Sequence, residues 1–211
     1  MANLRTGIYG NYYGSYFNES TGLTDAEKEV NARYIYSALK RSNWTVQSIA
    51  GILGNMEAES ALNPGRWQGG LVGNISGGYG LVQWTPSTNY TNWCDLMGYT
   101  DPSEMDHNIE RILHELDKGF QWIATSSYSF SFKEFTQSTL SPGELAKAFL
   151  LNYERPADQS ISVQTYRAGL ADKWYTFITG QEPIDPGSGG VVSGSNKKKY
   201  NFVLFGRKAW R

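Results

Sequence analysis

Two glutamates, Glu57 and Glu59, stand at the end of an apolar-periodic run and just before Asn63-Pro64-Gly65. A glutamate whose carboxyl stays protonated near neutral pH can hand a proton to a leaving oxygen, the step that cleavage of a glycosidic bond requires. Desolvation and a nearby negative partial charge keep such a carboxyl protonated. The C-terminal end of a helix supplies the second condition, because its macrodipole disfavours an added negative charge. Two residues on a helix are about 200° apart, so Glu57 and Glu59 cannot both face one cleft. Relative to the stripe Ile49, Ile52, Leu53 and Met56, each sits at a flank, on opposite sides. Periodicity does not choose between them, and for either one a solvated face is the competing reading, since surface glutamates are common.

Other residue types allow other chemistry. Cys94 with His107 or His114 supplies the members of a cysteine–histidine nucleophilic pair. Cys94 lies in a helical context, Asn92 to Met97, where a small buried side chain is the commoner use. His107 and His114 are seven residues apart on a long amphipathic helix, a spacing that suits its surface. Two histidines and one cysteine at these spacings match no standard zinc pattern, and no metal or organic cofactor is expected.

The elements that must position these groups follow from caps and periodicity. Thr24 and Glu27 form a capping box, with Leu23 as a hydrophobic staple, and Ala32, Ile35, Tyr36 and Leu39 continue as one stripe. After a turn at 41–44, Thr45 caps a second helix from Val46 to about Glu59. From Gln68 to Trp84, glycines at 69, 70, 73, 77, 78 and 80 alternate with apolar residues, which predicts a small β-hairpin or glycine-rich flap. Helical pattern returns near 87–97, is strongest from Met105 to Ile123 with Phe120 on the apolar face, and restarts at Ser141-Pro142 to about Tyr153. A last helix covers roughly Val163–Ile178, with Gly180 as its stop. The expected fold is therefore mainly α, a helical domain with a small β-flap beside a cleft.

The expected organisation is an N-terminal arm over 1–20, a catalytic domain over 21–180, a Gly/Ser/Pro linker over 181–196 and a basic-aromatic tail over 197–211. That tail, with Lys197 to Lys199 and Trp210, either docks onto another protein or an anionic polymer or is a flexible extension. The formal charge of −1 excludes a global field drawing the chain onto nucleic acid. No apolar run approaches the ~18 residues of a membrane span. A single cysteine excludes an intrachain disulfide, which with the lack of a signal-like segment fits synthesis in a reducing cytoplasm. Seven Trp and fourteen Tyr offer flat faces suited to sugar rings, although most such residues simply fill a core.

Three segments in order carry a resemblance: Gly51 to Gln68, containing Glu57-Ala58-Glu59-Ser60; Gly78 to Pro86, containing Gly80-Leu81-Val82-Gln83-Trp84; and Asn152 to Ala157. Together they look like the phage tail lysozyme family, over about residues 31–175. A Glu-Ser pair at a helix end followed by a Gly-x-x-Gln segment is more distantly similar to lytic transglycosylases and goose-type lysozymes. The resemblance implies a lysozyme-like (α+β) fold and hydrolysis of the β-1,4 bond between N-acetylmuramic acid and N-acetylglucosamine. It makes Glu59 the catalytic acid, leaves Glu57 a minor role at most, and has Gln83 line the cleft. Ser60 either hydrogen-bonds near the catalytic carboxyl or caps the helix end. Tyr79 and Trp84 either stack on sugars or pack in the core. Glu154 either lines the cleft opposite Glu59 or anchors a turn through an ion pair such as one with Arg155, so a second catalytic carboxylate is not secured. The implied partner is bacterial peptidoglycan, with other tail proteins as docking partners, and the implied location is the virion tail. Two other readings stay open: a lytic transglycosylase acting on the same bond, and a non-catalytic wall-binding or structural tail module.

Overall fold

The computed structural model describes residues 23–182. The expected arm over 1–20, the linker beyond 182 and the tail over 197–211 lie outside the described residues. Among those described, the chain is mainly helical: α1 (Asp25–Arg41), α2 (Val46–Ser60), α3 (Thr88–Met97), α4 (Met105–Lys118), α5 (Phe132–Gln137), α6 (Pro142–Phe149) and α7 (Ile161–Thr179).

The expected starts hold because the caps form. Thr24 accepts from the Glu27 backbone N–H while the Glu27 carboxylate accepts from that of Thr24 at 2.8 Å. Thr45 accepts from the N–H of Ser48 at 3.2 Å, and its hydroxyl donates to the Ser138 carbonyl at 2.6 Å, so the cap of α2 also ties it to the chain beyond α5. Short α5 was not anticipated, although Ser131 and Glu134 form a second capping box that marks its start. Helix α4 stops at Lys118, earlier than the apolar pattern suggests. Gly119 takes the left-handed conformation at φ +68° and ends the helix, so Phe120 and Ile123 leave its apolar face and are exposed.

Helix α2 is the centre of the fold, packed chiefly on α7 and α6. Two glycines permit that close approach. A Cβ on Gly51 would stand 2.9 Å from the Cβ of Leu145 on α6. A Cβ on Gly54 would stand 2.7 Å from the Ala171 nitrogen and 2.8 Å from the Arg167 carbonyl on α7. Ile49, Ile52, Leu53 and Met56 are fully buried, as their stripe requires, with Trp44, Phe149, Tyr153 and Trp174 around them.

The glycine-rich segment is a flap, but not a laddered hairpin. It contains a single 3-10 turn over Gln68–Gly70 and two isolated antiparallel bridges, Trp67 to Tyr79 and Tyr79 to Trp84. Gly69, Gly70, Gly73 and Gly80 all have positive φ, which breaks the extended run that a ladder needs. The segment is held instead by side chains. Asn108 on α4 accepts from the Leu81 N–H at 2.9 Å, and a Cβ on Gly80 would stand 2.6 Å from the Asn108 amide oxygen.

Candidate active site

Glu59 and Glu57 leave α2 in different directions, and their surroundings separate their roles. Glu57 accepts from Trp174 Nε1 at 2.7 Å and pairs with Lys173 at 3.1 Å and Lys28 at 3.5 Å. Its carboxylate is occupied in joining α2 to α1 and α7. Glu59 is one fifth exposed and pairs with the guanidinium of Arg167 through Nη2. Arg167 is aimed there by α2 itself, since Asn55, one helical turn before Glu59, accepts from its Nη1 at 3.0 Å. The Asn55 amide nitrogen donates to the Gly51 and Ala146 carbonyls, both at 3.0 Å, so this orienting group is fixed in turn by α6. Arg66, half-buried at the base of the flap, also lies within the electrostatic reach of Glu59.

Glu154 reaches the same place from the end of α6. After Phe149 the helix widens into a π turn over Leu150–Glu154, which Arg155 closes at φ +49° with its N–H donating to the Leu150 carbonyl at 2.8 Å. The Glu154 carboxyl oxygen Oε1 is sealed from solvent and meets no donor. Burial, and then the charge of Glu59 beside it, hold this carboxyl well above the ordinary glutamate range, against the opposing pull of Arg167. The dry, electron-rich surroundings expected of Glu59 thus belong to Glu154. Ionisation is disfavoured at Glu154, and the guanidinium pairs with Glu59. Arg155 does not serve as the partner of Glu154: its Nη1 donates to the Asn152 carbonyl at 2.7 Å and to that of Gln121.

Glu154 and Gln83 line a cavity of about 300 Å³, together with Trp84, Asn89, Arg111, Glu115, Phe120 and Gln121 among others. Gln83 sits at φ +49° on the flap, and its amide nitrogen donates to the carbonyls of Arg66 at 3.0 Å and Gly80 at 2.9 Å. With both donors engaged, the amide oxygen is what Gln83 has to offer a ligand. Glu115, buried on α4, accepts from Trp84 Nε1 at 3.0 Å, from Arg111 Nε at 2.9 Å and from the Tyr153 hydroxyl. Burial pushes its carboxyl upward, and these three donors pull it back.

Ser60 resolves to the structural alternative. Its hydroxyl donates to the carbonyls of Met56 at 2.9 Å and Leu81 at 3.0 Å, joining the end of α2 to the flap. Tyr79 is buried, stacked on Tyr90 at 5.9 Å and met edge-on by Trp67 at 4.6 Å, so it has no face open to a sugar. Trp84 borders the cavity but is only 4% exposed, with its ring stacked on Tyr90 at 4.6 Å. The open aromatic ring at the cavity is Phe120, 55% exposed. The apolar stripe of α4 predicts this ring in the core, and Gly119 is the local signal that the helix ends before it. Arg167 had no local signal at all, being 108 residues from Glu59.

The cysteine–histidine alternative finds no support in this geometry. Cys94 is buried, and burial pushes its thiol up to about 11, which keeps it protonated at neutral pH. His107 stacks on Tyr99 at 3.8 Å and bonds the Asp101 carbonyl through Nδ1 at 2.9 Å. Among the described residues no helix is long and apolar enough to cross a membrane.

Over 166 residues the chain is 45% identical to Morphogenesis protein 1 of Bacillus phage B103, covering 79% of this chain and 44% of that protein. The chain therefore spans less than half the length of this curated relative. The family model for phage tail lysozyme matches residues 30–178, from within α1 almost to the end of α7. That stretch holds Glu59, Gln83, Glu154 and Arg167 together with the helices that converge them, and the chain belongs to the phage tail lysozyme family.

Proposed function

We propose that this chain is a peptidoglycan glycosidase that hydrolyses the β-1,4 bond between N-acetylmuramic acid and N-acetylglucosamine, carried in a phage tail to open the host wall. The observation that carries the reading is the carboxyl pair Glu59 and Glu154, brought from two helices within reach of one guanidinium, that of Arg167, with Glu154 lining a polar cavity. Glu59 is the acid that protonates the leaving oxygen. Glu154 holds the proton in reserve and passes it to Glu59 for that step, and Arg167 steadies the charge on Glu59 before the proton arrives and after it has gone. Gln83 offers its amide oxygen to a sugar hydroxyl or N-acetyl N–H, and Phe120 offers an open ring face.

Turbidity loss on purified cell walls tests this directly. Glu59→Gln should lower the clearing rate by about 10²–10⁴-fold, the usual contribution of a positioned general acid. Cys94→Ser should leave it unchanged. A wild-type protein that binds walls without clearing them would refute the enzymatic reading in favour of a wall-binding module. Mass spectrometry of the released muropeptides should show reducing ends gained with one water. The 1,6-anhydro product would assign lytic transglycosylase chemistry instead.

A further inference from the structure

Arg111 is the cation of the cavity, and it is held as if for a ligand. Its Nε donates to buried Glu115 at 2.9 Å, and its guanidinium lies over the Trp93 ring at 5.4 Å. One edge and one face are thereby fixed, while among the described residues no acceptor takes a hydrogen bond from its Nη1 or Nη2. A guanidinium oriented in this way presents its remaining donors in the planar geometry that suits a carboxylate.

The amides around it are arranged in a complementary way. Gln83 donates to the Arg66 and Gly80 carbonyls, Asn89 to the Thr85 carbonyl at 3.0 Å, and Gln121 to the Tyr153 carbonyl at 3.1 Å. Gln83 spends both amide N–H groups on backbone and Asn89 and Gln121 one each, and among the described residues none of the three amide oxygens accepts a hydrogen bond. Three open amide oxygens, the Glu154 carboxyl and one cation suit a ligand rich in N–H and O–H donors that also carries a carboxylate. N-acetylglucosamine has the donors but no carboxylate. N-acetylmuramic acid has both, because its 3-O-lactyl substituent ends in a carboxyl or continues into a peptide stem bearing one.

We propose that this cavity is a subsite for the muramyl residue, in which Arg111 binds the carboxylate carried on the lactyl branch. The inference rests on the glycosidase reading and adds to it the group by which the site tells muramyl from glucosaminyl sugars. Glu154 borders both the cavity and Glu59, so a muramyl ring seated here lies next to the two carboxyls.

Calorimetric titration in the Glu59→Gln background tests it with three glycans: chitotetraose, the GlcNAc–MurNAc tetrasaccharide with free lactyl carboxylates, and that tetrasaccharide carrying L-Ala–D-Glu stems. One or both muramyl ligands should bind more tightly than chitotetraose, and the arm that does so identifies the source of the carboxylate. Arg111→Gln should erase the preference, weakening the preferred ligand by roughly tenfold or more while leaving chitotetraose within about twofold. Asn89 is exposed, so Asn89→Asp should fold normally and weaken the same ligand by charge repulsion, which covers the case where Arg111→Gln destabilises the protein by orphaning Glu115. Equal losses for all three glycans, or a muramyl preference that survives both substitutions, would overturn the subsite. Failure of all three to bind the Glu59→Gln protein would overturn the glycosidase reading as well.

Discussion

At the scale of single residues, the two carboxyls of the site differ in what surrounds them. Glu59 bonds the guanidinium of Arg167, whereas at Glu154 burial and the negative charge of Glu59 outweigh the pull of that same guanidinium. The consequence for stability has a definite sign. An unfolded glutamate titrates near ~4.3, and Glu154 in the fold titrates well above its ordinary value. Below the unfolded value both states carry the proton and the fold has its full stability. As pH rises past it, the unfolded chain gains by ionising and the folded one does not, so stability is lost. Glu154→Gln keeps the shape of the protonated acid without the titration. Thermal melts should therefore show the variant several degrees more stable than wild type at pH 8, with the gap closing towards pH 4. A gap that does not change with pH would refute the raised titration of Glu154.

At the scale of elements, the meeting of α2 and α7 decides where Arg167 stands. Gly54 sits where a Cβ would meet two backbone atoms of α7 at under 3.0 Å, so the side chain it lacks is the condition for the crossing. An alanine in mid-helix ordinarily gains about 0.5–1 kcal/mol over glycine. Gly54→Ala should reverse that sign and cost about 1–3 kcal/mol, because neither helix backbone can yield locally. It should also lower activity by displacing Arg167. Gly169 on α7 meets nothing within 4 Å of the added Cβ, so Gly169→Ala should show the ordinary gain. Chemical denaturation of the two variants checks both signs in one experiment. Equal effects would mean that the crossing does not depend on Gly54. On the flap, Gly80 combines φ +84° with the close approach of Asn108, and the same test applies there with a cost of about 2–4 kcal/mol.

At the scale of the whole molecule, α2, α6 and α7 form the packed centre, and the flap joins it through its second half, where Tyr79, Leu81, Val82 and Trp84 are buried. The tip around Leu71, Val72 and Ile75 is exposed and turns on positive-φ glycines. Native-state hydrogen exchange should find the slowest amides in α2 and those of residues 69–77 at least about 10³-fold faster, since local opening there breaks little packing. Equal protection across the two would contradict a fold organised around α2.

Much of this was legible in the chain itself, and the part that was not has a common cause. Capping boxes and apolar stripes are local patterns, so α1, α2 and the start of α6 follow from neighbouring residues alone. The same locality places Glu59 at a helix end and gathers glycines into a flap. The exclusion of disulfides and the mainly helical class also need nothing beyond residue types and their spacing. What tertiary structure decided is everything that depends on distances across the chain: Arg167 opposite Glu59, the burial that raises the Glu154 carboxyl, Tyr79 and Trp84 sealed in the core, Phe120 and Arg111 at the cavity. Charge states and exposure come from which surfaces meet after packing, and a period of 3.6 residues carries no record of a partner 108 positions away.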